Sequence, residues 1–212
     1  MRRFRLVPAL ALALLVAPTA ARAQLGVDFT SASDANNGWF SLGWSFNVLT
    51  PFSVSGLGFY DAGKDGLNQS HEVGLWTSGG TLLASATVSS SDPLISFWRF
   101  ATITPVNLGV GSYIISGASH NELYPLNNSV GTVFDSKITY GTDWWTGGDP
   151  LVFPTTSNGL NAGNPGWLAV NFLEENPNHP QDIAPEPATM SLLATGLAGL
   201  AAAGRRKKIL RS

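Results

Sequence analysis

The chain has 212 residues, 44% hydrophobic and only 12% charged, with 23 Gly, 13 Pro, 7 Trp and no Cys. That apolar content excludes a disordered chain, and the lack of Cys excludes disulfide scaffolds, zinc ribbons, iron–sulfur sites and cysteine nucleophiles. The net charge of −2 hides an acidic body, with thirteen acids against Lys64, Arg99 and Lys137 between residues 24 and 184, which argues against a nucleic-acid partner and favours cations such as calcium.

The first element is a leader. Arg2, Arg3 and Arg5 form a positive n-region, Leu6 to Val16 an apolar run, and Ala21-Arg22-Ala23 an Ala-x-Ala cleavage site, so residues 1–23 read as a secretory signal peptide. Eleven apolar residues are too few to span a bilayer. The mature chain is therefore expected to begin near Gln24, outside the cytoplasm.

From Gln24 to Leu173 the apolar pattern has period two, and strands are expected at 44–48, 52–60, 72–77, 81–88, 97–103, 112–118, 130–140 and 166–173. In TLLASATV, Leu82, Ala84, Ala86 and Val88 share one face. In VGTVFDSKITY, Val130, Phe134, Ile138 and Tyr140 lie opposite Asp135, Lys137 and Thr139, and in GWLAVNFL the shared face is Leu168, Val170 and Phe172. Ser78-Gly79-Gly80 is a tight hairpin signal. No long stretch has helical spacing and no internal repeat is visible. The expected fold is all-β: a single antiparallel β-sandwich over residues 24–173, jelly-roll-like.

The loop after the second of these strands runs Asp61-Ala62-Gly63-Lys64-Asp65-Gly66-Leu67-Asn68-Gln69-Ser70-His71-Glu72. Laid on the twelve-residue calcium-loop template, Asp61 and Asp65 fall at positions 1 and 5, Gly66 at the sharp turn, the Leu67 carbonyl at 7 and Glu72 at 12. Gly63 supplies no oxygen at position 3, and the flanks are strands rather than helices. The residues fit a calcium loop inserted between strands, or a plain surface loop of turn formers. Further on, Trp144 and Trp145 stand in YGTDWWTGGDP, among turn residues. They read either as a platform stacking on sugar rings or as a cap on an open end of the sandwich. Trp39, Trp44, Trp76, Trp98 and Trp167 are expected in the core.

Residues 174–184 hold two Pro and no periodicity and read as an acidic linker. Residues 188–204, ATMSLLATGLAGLAAAG, carry no charge and as a helix would reach about 25 Å, the short end of a membrane span. Arg205, Arg206, Lys207 and Lys208 follow and are expected to hold the extreme C-terminus in the cytoplasm.

Pro185-Glu186-Pro187, the apolar run and the basic cluster, in that order, resemble a PEP-CTERM sorting signal spanning residues 185–208. Ile209-Leu210-Arg211-Ser212 is an extra segment beyond that pattern. The resemblance implies an exported substrate of an exosortase, a membrane transpeptidase of Gram-negative bacteria that typically make extracellular polysaccharide. Its implied partners are the exosortase, the secretion machinery and, before processing, the membrane. The stretch from Trp44 to Leu173 also resembles a poorly characterised sandwich module carried by many PEP-CTERM proteins, which implies fold and context but no catalytic residue.

Catalysis finds little support. There is no Gly-x-Ser-x-Gly elbow, His-Glu-x-x-His helix or phosphate-binding Gly loop, and His71, His120 and His179 are far apart in the chain. The expectation is a non-catalytic component of the cell surface or of an extracellular polysaccharide matrix (a biofilm). The alternatives are a calcium-assisted carbohydrate-binding module and, behind it, a secreted hydrolase.

Overall fold

A computed structural model describes residues 24–175 apart from Asn37, Asn127, Asn128, Asp149 and Ala162. The signal peptide at 1–23, nearly all of the linker, the Pro185-Glu186-Pro187 motif, the apolar run at 188–204 and the bases Arg205, Arg206, Lys207 and Lys208 lie outside the described residues. Among the described residues, no helix is long and apolar enough to cross a membrane.

The strands follow in order: β1 (Gln24–Leu25), β2 (Val27–Asp28), β3 (Asp34–Ala35), β4 (Phe40–Val48), β5 (Phe52–Tyr60), β6 (His71–Thr77), β7 (Leu82–Val88), β8 (Leu94–Ile95), β9 (Trp98–Leu108), β10 (Gly111–Ala118), β11 (Tyr124–Pro125), β12 (Val133–Phe134), β13 (Ile138–Gly147) and β14 (Val170–Glu174). Two five-stranded antiparallel sheets carry the fold, ordered β1-β14-β5-β9-β8 and β13-β4-β10-β6-β7. The ribbons β11-β3 and β12-β2 stand beside them. The chain crosses repeatedly between the sheets, from β4 to β5, β5 to β6, β9 to β10 and β13 to β14, the connection style of the expected jelly-roll-like sandwich. The hairpin at Ser78-Gly79-Gly80 closes through Thr77 N–H donating to Thr81 O at 2.9 Å, and Gly80 supplies the required positive φ of 86°.

The inner faces meet in an aromatic core. Trp44 and Phe46 from one sheet pack on Phe172 from the other, with ring centroids 6.0 and 5.1 Å away, and Phe52 stacks on Phe172 at 5.6 Å. Two buried indoles also clamp the chain entering β14: Trp44 Nε1 donates to Val170 O at 2.9 Å and Trp98 Nε1 to Leu168 O at 3.1 Å. β4 passes so close to β10 that a Cβ on Gly43 would stand 1.9 Å from Ile115 O, so the sheet closes only with Gly there.

Three local expectations change. The stretch 130–140 is not one strand. Lys137 N–H donates to Asp135 Oδ1 at 2.8 Å and Ile138 N–H to Asp135 O at 3.1 Å, so the Asp side chain turns the backbone. β12 then pairs with β2 while β13 joins β4, and Val130 is left exposed. In β7 a bulge at Leu83, opposite Leu75 and Trp76, flips Leu82 out to solvent. β14 is buried on both faces, not one. Its outer face is covered because Asn171 Nδ2 donates to Val27 O at 2.7 Å and Asn171 Oδ1 accepts from Val27 N at 3.1 Å.

Candidate functional site

Two places concentrate polar or aromatic groups. The first is the loop between β5 and β6. Asp61 follows β5 directly and is fully buried, and a 3₁₀ turn at Ala62–Lys64 bends the chain back through Gly63 and Lys64 at positive φ. Gly66 N–H donates to both Asp61 carboxylate oxygens, at 3.1 and 3.2 Å. Arg99 on β9 places Nε 2.7 Å from Asp61 Oδ2, and its Nη1 donates to the carbonyls of Ser90 and Asp92 at 2.8 and 3.0 Å. Ser90 Oγ in turn donates to Leu67 O at 2.6 Å.

Next to it, Asn68 donates through its backbone N–H and Nδ2 to Glu122, at 2.9 and 2.6 Å. His71 Nε2 lies 3.4 Å from Glu122 Oε2, and its Nδ1 lies 2.8 Å from the Ala118 carbonyl. A carbonyl only accepts, so Nδ1 carries the proton. The imidazole also stacks on Phe59, centroids 3.8 Å apart and nearly parallel. Burial pulls the His71 pKa below its ordinary value and outweighs the opposing hydrogen bonds to Ala118 and Glu122. Asp65, Asn68, Ser90, Arg99 and Glu122 face a polar cavity of about 400 Å³.

This geometry does not assemble the calcium set. Asp61 is engaged by Arg99 and Gly66, and the Leu67 carbonyl by Ser90. Asp65 is exposed at the rim. Glu72 is exposed on β6 opposite Thr87, pointing away from buried His71. Among the described residues no group of three or more His, Asp or Glu side chains is placed to hold a metal. The cation at Asp61 is a guanidinium, supplied from a residue 38 positions along the chain.

The second place is an aromatic end of the sandwich. Trp144 and Trp145 lie in strand β13, paired with Gly43 and Leu42 of β4, rather than in a turn. Consecutive strand residues face opposite sides, so the two rings do not form one stacking platform. Trp145 faces inward, edge-to-face with Phe40 at 5.7 Å. With Phe40, Leu42, Asn158 and Trp167 it lines a cavity of about 180 Å³ whose walls are mostly apolar. The Nε1 atoms of Trp144, Trp145 and Trp167 are buried and find no hydrogen-bond acceptor among the described residues.

The cavity wall is fixed from behind. Buried Asp143 accepts from Asn158 N at 3.2 Å and Leu160 N at 2.9 Å, and Tyr140 Oη accepts from Gly166 N at 3.2 Å. Burial pushes the Tyr140 hydroxyl up to about 12. Trp167 is buried in the core as expected and also lines this cavity. Trp39, also expected in the core, is 52% exposed, with its ring against His120 at 5.7 Å.

Comparison with protein families adds two findings. Residues 26–164 match a family described as a domain of unknown function (DUF4082), and residues 184–207 match the PEP-CTERM protein-sorting motif. No curated protein and no solved structure matches the chain.

Proposed function

Since the chain belongs to the DUF4082 family and carries a PEP-CTERM sorting motif, we propose that it is a non-catalytic component of the cell surface or extracellular polysaccharide matrix. The motif marks it as an exported protein sorted by an exosortase in a Gram-negative bacterium. The finer reading adds a cleaved leader at residues 1–23, a transient membrane anchor at 188–204 held by Arg205, Arg206, Lys207 and Lys208, and a final place among secreted polysaccharide.

One observation carries it: Gln24 is the register partner of Glu174. β1 pairs along the end of β14, Gln24 with Glu174 and Leu25 with Leu173. The two ends of the described domain therefore lie side by side. Neighbouring ends suit a domain tethered at both ends to one bilayer during export.

The absence of catalysis is supported by how the titratable groups are used. Asp61 pairs with Arg99, Glu122 accepts twice from Asn68, Glu174 takes Lys137, and Asp143 holds a loop. Each has a structural partner, and the buried oxygens left without one are Glu174 Oε2 and Asp135 Oδ2 among the described carboxylates. The reading is tested by extracting surface material from the native bacterium and from a strain unable to make extracellular polysaccharide. The expected result is a protein that co-fractionates with polysaccharide in the first and is released freely into the medium in the second. Identical fractionation in both strains would contradict it.

A further inference from the structure

We propose that Lys137, Asp135 and Glu174 form a self-linking triad, in which the Lys137 amine and the Glu174 carboxyl condense to an isopeptide bond with loss of water. The linkage concerns only this chain's own covalent structure and does not rest on the matrix reading. Lys137 lies in the turn between β12 and β13, and Glu174 is the last residue of β14. Since β13 and β14 belong to different sheets, the bond would tie one half of the sandwich to the other.

The reacting groups already touch. Lys137 Nζ donates to Glu174 Oε1, and Asp135 Oδ1 accepts from the Lys137 backbone N–H at 2.8 Å. Asp135 and Glu174 are only 7% and 8% exposed, and Asp135 Oδ2 and Glu174 Oε2 are buried without a hydrogen-bond partner. Two buried carboxyls around one ammonium are one more than an ion pair needs. The surplus is resolved when Glu174 holds a proton, because its hydroxyl then donates to Asp135.

The surroundings favour that form. In the unlinked chain, burial does most to raise the Glu174 pKa, the Lys137 ammonium opposes it, and Asp135 raises it further. A proton passing from Lys137 to Glu174 leaves a neutral amine against a neutral acid, and these are the forms that react. The nitrogen lone pair attacks Glu174 Cδ. Asp135 takes a proton from the nitrogen and returns it to the departing hydroxyl. One N–C bond forms, one C–O bond breaks, and the water leaves beside Lys137, whose side chain is half-buried. No further reagent is consumed. Groups held in contact this way react with effective molarities of about 10⁵–10⁸ M, which drives a condensation that free lysine and glutamate do not undergo in water.

The position suits the load on the chain. Without Cys, no disulfide can lock the last strand, and the sequence that follows β14 leads to the sorting motif at 184–207. A pull on that segment reaches Glu174 first. With the bond in place it is borne by a covalent link to Lys137 rather than by ladder hydrogen bonds.

The test is mass spectrometry of the full chain, purified folded in detergent, then denatured and digested with trypsin. Between Arg99 and Arg205 the only basic residue is Lys137, and trypsin does not cut after an acylated lysine. The expected product is one fragment running from Phe100 through position 137 uncut, lighter than its sequence by one water. Lys137→Arg keeps a cation against Glu174 but removes the amine nucleophile, and should be cut at position 137 with both halves at full mass. Asp135→Asn keeps an acceptor for the Lys137 N–H and removes the proton carrier, and should slow the linkage about a hundredfold. Cleavage of the wild type after Lys137, with both halves at sequence mass, overturns the proposal. So does a linkage that forms as fast in Asp135→Asn as in the wild type.

Discussion

The Asp61 carboxylate, fully buried just after β5, lies 2.7 Å from the Nε of Arg99 on the neighbouring strand β9. The same guanidinium holds the carbonyls of Ser90 and Asp92, so one side chain ties the β5–β6 loop to the turn before β8. Removing one partner of a buried pair strands the other charge. Arg99→Ala should cost about 3–5 kcal/mol, and Asp61→Asn less, about 1–2 kcal/mol, because the amide oxygen still accepts from Gly66. Urea unfolding of both variants checks this, and a loss under about 0.5 kcal/mol for Arg99→Ala would place the pair among inert surface contacts.

The same pair bears on calcium. With Asp61 and the Leu67 carbonyl already engaged and Glu72 turned away, added calcium should leave the thermal midpoint of the protein where it stands in chelator. A ligand that binds only the folded state raises that midpoint with its concentration. A calcium-dependent rise abolished by Asp65→Asn would show that the loop rearranges to take the ion.

His71 predicts an acid-sensitive stability. Burial lowers its folded pKa, so between the unfolded value of about 6.5 and the lower folded one, the unfolded chain binds a proton that the folded chain does not. Stability contributed at this position is intact above about 6.5 and falls as the pH drops below it, by up to about 1.4 kcal/mol per unit. Glu174 works in the opposite sense, since burial raises its pKa and favours the folded state at lower pH. Comparing wild type with His71→Gln isolates the histidine: the wild type should lose stability relative to the variant on going from about pH 7 to about pH 5. A difference that is flat with pH, or that grows toward acid in favour of the wild type, contradicts the assignment.

Asn171 acts as an extra strand edge for Val27, with one bond to its carbonyl and one from its N–H. Asn171→Leu keeps the size but leaves both backbone groups unpaired in a buried site, at about 1–3 kcal/mol each. Chemical denaturation should show a loss of about 2–4 kcal/mol, and hydrogen exchange at Val27 should rise most. A variant as stable as wild type would mean that β2 holds itself in place.

Much of this was readable from residue order. The stretch 52–60 lies between a Pro and an Asp-Gly-rich loop and is β5 to the residue, though its apolar positions change parity at the bulge between Val54 and Gly56. The Ser-Gly-Gly turn was legible because Gly takes the positive φ that a short hairpin loop needs. β14 was harder, since apolar residues on both faces say "buried" without saying between which strands, and its neighbours β1 and β5 are far away in the chain. In the DWWTGGDP stretch, turn formers concealed a strand, because a bulge between Tyr140 and Asp143 breaks the alternation that would announce it. The special character of the 61–72 loop was visible in its Asp and Gly spacing. Its true partner was not, because Arg99 reaches Asp61 only once β5 and β9 pair. Trp167 looked like any strand-flanking aromatic, and only the folded chain sets it across a cavity from Trp145.

The most direct test of the account is the intact mass of the protein recovered from fractionated cells of its native host. The account predicts material outside the inner membrane whose mass lacks both the leader, beginning at Gln24, and the basic tail. It also predicts that a chain without residues 185–212 goes unsorted. Recovery of the uncut 212-residue chain from the cytosol, with no trimmed form elsewhere, would contradict it.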